Sequence, residues 1–339
     1  MTVTLSLAEA ERLVTRALVV NRTSEDNARA TAAALVAAEA DGQTGHGLVR
    51  VPSYAAQAKA GKVDGFAVPA VTGKGAALRV DAKTGFAFPA IDAAIARLVP
   101  LAREMGVAGA GIFASHHCGQ AGHHVERLAQ EGLIGFICSN TPSAMAFHGG
   151  VRPHPGTDPL AFAAPLPGRA PLVIDMALSV VARSKIVAAK EKGESVPLGW
   201  AVDPEGKPTT DPDKALAGAL LPVGGAKGSA LALMVEIFCG ALAGSHFAWE
   251  ASSFLDAQGA PPKVGQFLIA LDPRHFAGEN FLPRMGDLIK AVAADGARLP
   301  GDNRLAARAR ATREGLTIAD QLHARITALA ETEAPRRPQ

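Results

Sequence analysis

An apolar, glycine-rich run from Gly106 to Ala114 reads as a short strand, and it is followed at once by Ser115-His116-His117-Cys118-Gly119-Gln120-Ala121-Gly122-His123-His124. A helix then begins at Gly119 or Ala121 and continues to Glu131. Four imidazoles and a thiol are thus gathered directly after one strand. An imidazole has an ordinary pKa near 6.5, so a modest change of surroundings makes it an acid or a base at neutral pH. Six of the ten histidines (His116, His117, His123, His124, His148, His154) lie between 116 and 154. The chemistry is expected to be local.

The remainder reads as mixed α and β. Ser6 and Glu9 form a capping box for a helix to Leu18. Ser24 or Thr23 caps a second helix, Glu25 to Asp41, with Ala28, Ala32, Leu35 and Ala38 at helical spacing. A third helix is expected over 50–60, ended by Gly61, and a fourth over 89–105. Strands are expected at 78–81, 132–140, 159–164, 171–175 and 267–271. Residues 208–225 read as a turn-rich connection, 229–243 as a buried helix, and 278–294 and 315–332 as helices. Residues 333–339 read as a disordered tail. Pro and Gly punctuation points to a mixed sheet rather than regular parallel βαβ units.

At 339 residues two packed regions are expected rather than one. The charges nearly cancel, 34 basic against 32 acidic, and aromatic residues make up 5%. No basic stripe or stacking platform for nucleic acid is present. The longest apolar run, Ala230 to Gly244, is interrupted by Glu236 and falls short of the ~20 residues a bilayer needs. Met1 to Glu9 lacks a basic, then apolar, leader, and three widely spaced cysteines do not suggest a disulfide framework. The expected location is the cytoplasm.

Familiar nucleotide fingerprints fail. Gly106-Val107-Ala108-Gly109-Ala110-Gly111 has the wrong glycine order for G-x-G-x-x-G, and Gly224-Gly225-Ala226-Lys227-Gly228-Ser229 is not a phosphate loop. The second still joins a glycine turn, a cation and a helix start, which together suit an anion; a flexible turn with a solvated lysine is the plainer alternative. Asp41-Gly42-Gln43-Thr44-Gly45-His46-Gly47-Leu48-Val49-Arg50 sets a proton-carrying group four residues from a guanidinium that can fork onto a carboxylate. The plainer reading is a helix end followed by a surface arginine. His116, His117, Cys118 and His123 are conceivable metal ligands, although no zinc spacing is present, and His123 and His124 also read as solvent-facing.

Taken together, Asp41 to Arg50 with Val51-Pro52-Ser53-Tyr54, Ser115 to Gly119, Ser139-Asn140-Thr141-Pro142, Gly149-Gly150, Gly156 to Ala161, Asp175-Met176-Ala177, Gly199 to Asp203 and Gly224 to Gly228 resemble the malate/L-lactate dehydrogenase family that lacks a Rossmann fold. The resemblance spans nearly the whole chain. It implies an α+β fold: a non-Rossmann NAD(P)-binding mixed sheet (113–284), with a helical, substrate-side and dimerisation region from the N- and C-terminal segments (1–112 with 285–330). It implies a homodimeric NAD(P)H-dependent oxidoreductase, NADPH slightly favoured, reducing a small 2-oxo acid or cyclic 2-imino acid such as pyrroline-2-carboxylate.

By that resemblance His46 is the proton donor and His116 a second acid/base candidate. Arg50, Tyr54 and Thr157 face the substrate. His117, Gly119, Asp175, Met176, Ala177, Lys227 and Gly228 hold the cofactor, with Arg304 reaching its adenine end; no metal is implied. Three positions depart from the family pattern. Gly45 stands where many relatives have Ser, Lys185 where cyclic-imine reductases often have Asp, and Asp158 where Asn is more usual. The competing readings are a His/Cys metal-binding protein or metallohydrolase, and a family member that binds ligand without turnover.

Overall fold

The computed structural model describes residues 1–331. The chain opens with β1 (Thr2–Leu5), α1 (Leu7–Val20) and α2 (Glu25–Ala40), then two short 3-10 turns, Thr44–His46 and Leu48–Arg50, and α3 (Val51–Ala60). The capping box at α1 forms as expected: Ser6 N–H donates to Glu9 Oε2 at 2.8 Å and Glu9 N–H to Ser6 Oγ at 3.2 Å. Ser24, not Thr23, caps α2, and Gly61 ends α3 in a left-handed conformation at φ 77°.

There follow β2 (Ala70–Lys74), β3 (Ala77–Asp81), α4 (Ala87–Met105), β4 (Val107–Ser115), α5 (Ala121–Gln130), β5 (Ile134–Ser139), β6 (Leu160–Leu166) and β7 (Arg169–Met176). After α6 (Arg183–Lys192) come β8 (Ala201–Val202), β9 (Pro208–Thr209), α7 (Pro212–Ala217), β10 (Ala219–Leu220) and α8 (Ala226–Glu236), which runs into a π-turn at Ile237–Leu242. The chain closes with β11 (Val264–Leu271), α9 (Arg274–Ala277), α10 (Phe281–Ala294), α11 (Asp302–Glu314), β12 (Leu316–Ala319) and α12 (Asp320–Glu331).

The main sheet has the order β2-β3-β4-β11-β5-β6-β7. β3 and β4 run parallel, and every other neighbouring pair among its described strands is antiparallel. That is a mixed sheet and not a doubly wound parallel one. One face carries α4 and α5 over a core that includes Val80, Ile91, Leu98, Ile112, Leu128, Ile137 and Leu268. A second core joins α1, α2, α3 and α12 around Leu18, Leu35, Tyr54, Phe86 and Ile326. A third lies under the 178–243 segment, with Met145, Leu178, Ile186 and Cys239.

Several elements differ from the reading of the sequence. The boundary drawn at 112 falls inside β4, and the one at 285 inside α10. Residues 315–332 hold a strand before their helix, because β12 pairs antiparallel with β1 at the far end of the chain. Two helices carried no apolar stripe to betray them: α6 buries only Ile186, and α11 only Arg304 and Ala311. The expected helix over 229–243 starts earlier, at Ala226, and turns π at Ile237. A Cβ on Gly240 in that turn would fall 2.4 Å from the Phe247 ring, so the missing side chain is what admits the aromatic. The 333–339 tail lies outside the described residues.

Candidate active site

The 41–50 segment folds over the loop that leaves β4. Glu39 organises it from α2, since its Oε2 accepts the Leu48 N–H at 2.8 Å. Gly47 must be glycine for this: a Cβ there would lie 2.1 Å from the same oxygen. The turn brings the His46 ring onto that of His117, with centroids 5.3 Å apart and planes 20° from parallel. His46 Nδ1 is buried with no hydrogen-bond partner among the described residues. Burial, and then the positive charge of Arg50, depress its pKa to about 4. Arg50 Nε donates to the Gly45 carbonyl at 2.6 Å, which holds the guanidinium beside the imidazole.

His117 is held from α3. Tyr54 is fully buried, and its hydroxyl lies 2.6 Å from His117 Nδ1. No other acceptor for that hydroxyl is found among the described residues, so it donates to Nδ1 and the ring carries its proton on Nε2. Tyr54 therefore supports His117 rather than presenting a free hydroxyl to a ligand. Burial raises the Tyr54 pKa and pushes that of His117 well down.

His116 sits deeper, 1% exposed, with Nε2 2.9 Å from Gln57 Oε1. Gln57 also donates from Nε2 to the Phe254 carbonyl at 2.7 Å, and the Phe254 ring lies 5.1 Å from both His116 and His117. Lys62, likewise buried, donates to the Ser253 carbonyl at 2.7 Å and to that of Asp256 at 3.1 Å. Gln57, Lys62 and Phe254 were not read from the sequence. Gln57 stands three residues beyond Tyr54 and so shares its helix face, a local signal that was available; nothing near position 254 announced Phe254.

His124 is otherwise engaged. His124 Nε2 lies 2.8 Å from the Cys118 carbonyl, and burial lowers the pKa values of His124 to about 4 and His123 to about 3. Among the described residues no three His, Cys, Asp or Glu side chains converge on a point that could hold a metal ion, so the geometry gives the metal-site reading no support.

On the cofactor side, Gly119 turns the loop at φ 67°, where a Cβ would press on Phe88 at 3.0 Å. Gly122 N–H donates to Asp175 Oδ2 at 2.7 Å; the residue itself is exposed, but desolvation of its carboxyl raises the pKa to about 6. Met176 and Ala177 follow in exposed chain. Thr157 accepts Leu178 N–H at its carbonyl, and the Leu178 carbonyl in turn accepts Val223 N–H, which leads to Gly224, Gly225 and α8. Gly224 and Gly225 take positive φ of 63° and 60°, α8 has no side-chain cap, and Lys227 stands exposed in its first turn. Bare amides, a dipole end and a cation fit a phosphate. Gly228 packs against Val223, whose carbonyl would lie 2.0 Å from an added Cβ.

Arg304 requires a correction. It is 7% exposed, and its guanidinium is spent on Asp41 (3.1 Å) and Glu126 (2.9 and 2.8 Å), with Arg308 bridging the same two carboxylates. It ties α11 to the start of the His46 turn and to α5 instead of reaching for an adenine.

The mixed sheet, with His46 and Arg50 beside the loop that leaves β4 and an uncapped, lysine-bearing α8, is a fold outside the Rossmann class. The family profile described as malate/L-lactate dehydrogenase matches residues 5–327, and the chain belongs to that family. It is 50% identical over 305 residues to the NADP-dependent (2R)-3-sulfolactate dehydrogenase of Chromohalobacter salexigens, covering 90% of this chain and 91% of that one. It is 39% identical to a Δ1-pyrroline-2-carboxylate reductase of Ancylobacter novellus, over 96% and 97% of the two chains. The crystal structure of Δ1-piperideine-2-carboxylate reductase from Pseudomonas syringae pv. tomato superposes with a TM-score of 0.92 at 40% identity, covering 97% of this chain and 100% of that one.

Proposed function

We propose that the protein reduces a small 2-oxo acid or cyclic 2-imino acid with NADPH or NADH, and that the His46–Arg50 corner is where it does so. The observation that carries this is an imidazole with a buried nitrogen unpartnered among the described residues, held beside a guanidinium whose Nε alone is engaged among them. A carboxylate takes the free end of Arg50. His46 then lies beside the neighbouring carbon's oxygen or nitrogen and supplies its proton. A reduced nicotinamide supplies the hydride when bound. His117, fixed by Tyr54, backs the His46 ring, and Thr157 borders the path that leads to Asp175, Met176, Ala177, Gly119, Lys227 and Gly228, the residues proposed to hold the cofactor.

The relative acting on sulfolactate with NADP makes sulfopyruvate the first substrate to try and NADPH the first cofactor. The proposed setting is a cytoplasmic homodimer with the site near the subunit interface. No helix among the described residues is long and apolar enough to cross a membrane. The test is a turnover panel of sulfopyruvate, pyruvate, oxaloacetate, pyrroline-2-carboxylate and piperideine-2-carboxylate with either nucleotide. Turnover of at least one is expected; NADPH binding without any turnover would establish the non-catalytic reading instead.

A further inference from the structure

We propose that Gln57 is a positioning residue that locks His116 as a hydrogen-bond acceptor, with its proton on Nε2 and its Nδ1 lone pair offered to the bound ligand. The inference rests on the reading of this corner as the site of reduction, and it removes His116 from the list of proton donors.

The Phe254 carbonyl can only accept, so the end of the Gln57 amide that meets it at 2.7 Å is the NH2. The other end is then the carbonyl oxygen, which can only accept from His116 Nε2 at 2.9 Å. A neutral imidazole with its proton on Nε2 has a bare Nδ1, and His116 Nδ1 is buried with no partner among the described residues. A buried acceptor left unmatched is costly, so the site is built for a neutral N–H or O–H donor of the cofactor or substrate.

The surroundings keep the ring uncharged. Burial opposes the charged ring most, and Lys62 and Arg50 are the cations that add to it; the His117 imidazole does not titrate near neutrality. Tyr54 and Phe86 meet the ring edge-on, and Phe254 covers it. Asp256 lies 3.6 Å from Lys62 Nζ and is spent there. Gln57 is itself fully buried, so its amide has no freedom to reverse.

The first measurement is 15N NMR of the histidine-labelled protein, with the His116 ring assigned by its loss in His116→Gln. A neutral, Nε2-protonated ring that does not titrate between pH 5.5 and 8 is expected. An Nδ1-protonated or titrating ring overturns the proposal. The second is Gln57→Glu, whose carboxylate favours the imidazolium and turns Nδ1 into a donor. His116 then titrates within the measured range, and kcat at pH 6 falls at least tenfold below its value at pH 8.5, a limb that wild type lacks. A charged His116 with an unchanged kcat–pH profile overturns the acceptor role. If Gln57→Glu does not fold, the wild-type spectrum decides alone. Neither result depends on His46, so undiminished turnover in His46→Ala would mark a failure of the functional reading and not of this one.

Discussion

The His46 and His117 rings stack at 5.3 Å, and the Tyr54 hydroxyl fixes the His117 ring at its Nδ1 edge at 2.6 Å. His46 is thus supported on one face while its Nδ1 has no partner among the described residues. Replacing it by alanine removes the proton donor, and kcat is expected to fall about 10²–10⁴-fold. Arg50→Ala removes a charge-assisted clamp of about 1.5–3 kcal/mol and is expected to act mainly on KM, raising it about 10–100-fold. Steady-state kinetics of the two variants checks both, and wild-type rates in either would refute the assignment.

Substrate binding is expected to draw a proton from solution. The free protein holds His46 neutral at pH 7, since burial and the Arg50 cation lower its pKa to about 4. A carboxylate on Arg50 cancels the second of these effects, so the imidazole pKa rises in the complex. Calorimetry of a non-reacting 2-hydroxy acid in buffers of different ionisation enthalpy should show net proton uptake between pH 6 and 7. The uptake should vanish in His46→Ala.

Acid should unfold the protein through its histidines. The pKa values of His46, His116, His123 and His124 are lowered by burial to about 4, 3, 3 and 4. The unfolded chain therefore binds more protons than the native state below its ordinary histidine pKa of about 6.5. Their contribution to stability is complete above that value and is lost as pH falls from about 6.5 towards 3. The urea midpoint measured from pH 8 to 4.5 should drop steeply below 6.5; a flat profile would mean that these rings are not buried as described.

Alkali should act through a carboxyl pair. Asp158 and Glu236 are 0% and 2% exposed, and Asp158 Oδ2 and Glu236 Oε1 lack any other donor among the described residues. Burial raises both pKa values; repulsion from Glu236 adds to the rise of Asp158, which is strong, while the hydrogen bond with Asp158 moderates that of Glu236. The native state holds a proton that the unfolded chain gives up, so stability declines as pH rises from the ordinary carboxyl range through the raised one. Asp158→Asn supplies an N–H to Glu236, and Asn tolerates the positive φ of 40° found here. The variant should melt a few degrees higher at pH 8 than wild type, at about 2–4 °C per kcal/mol, with the gap closing towards pH 5 in a thermal scan.

Arg304→Met and Lys227→Ala should separate structure from cofactor binding. The first leaves Asp41 and Glu126 short of a buried partner and should cost about 3–5 kcal/mol of stability, with the NADPH dissociation constant unchanged where the variant is folded. The second should leave Tm unchanged and weaken NADPH, increasingly so at low salt where the lost charge counts most. Urea unfolding and fluorescence titration distinguish them, and the opposite pattern would return Arg304 to the cofactor.

The sequence by itself determined the elements whose signals are local. The capping box at Ser6 and Glu9, the apolar spacing of α2, the β4–loop–α5 unit and the His46-to-Arg50 interval each follow from residues within about one helical turn or one strand of each other. Tertiary structure decided whatever depends on distant partners. β12 is a strand because residues 2–5 pair with it, α11 is held by buried ion pairs instead of an apolar stripe, and Arg304 meets Asp41 across 263 positions of chain. The candidate site divides the same way. His46, Arg50 and the His116-His117 pair were legible as chemistry, but the tautomers they adopt come from Tyr54, Gln57 and the Phe254 carbonyl. A hydrogen bond is set by where two atoms meet in space, and the pattern of neighbours along a chain holds no record of that meeting.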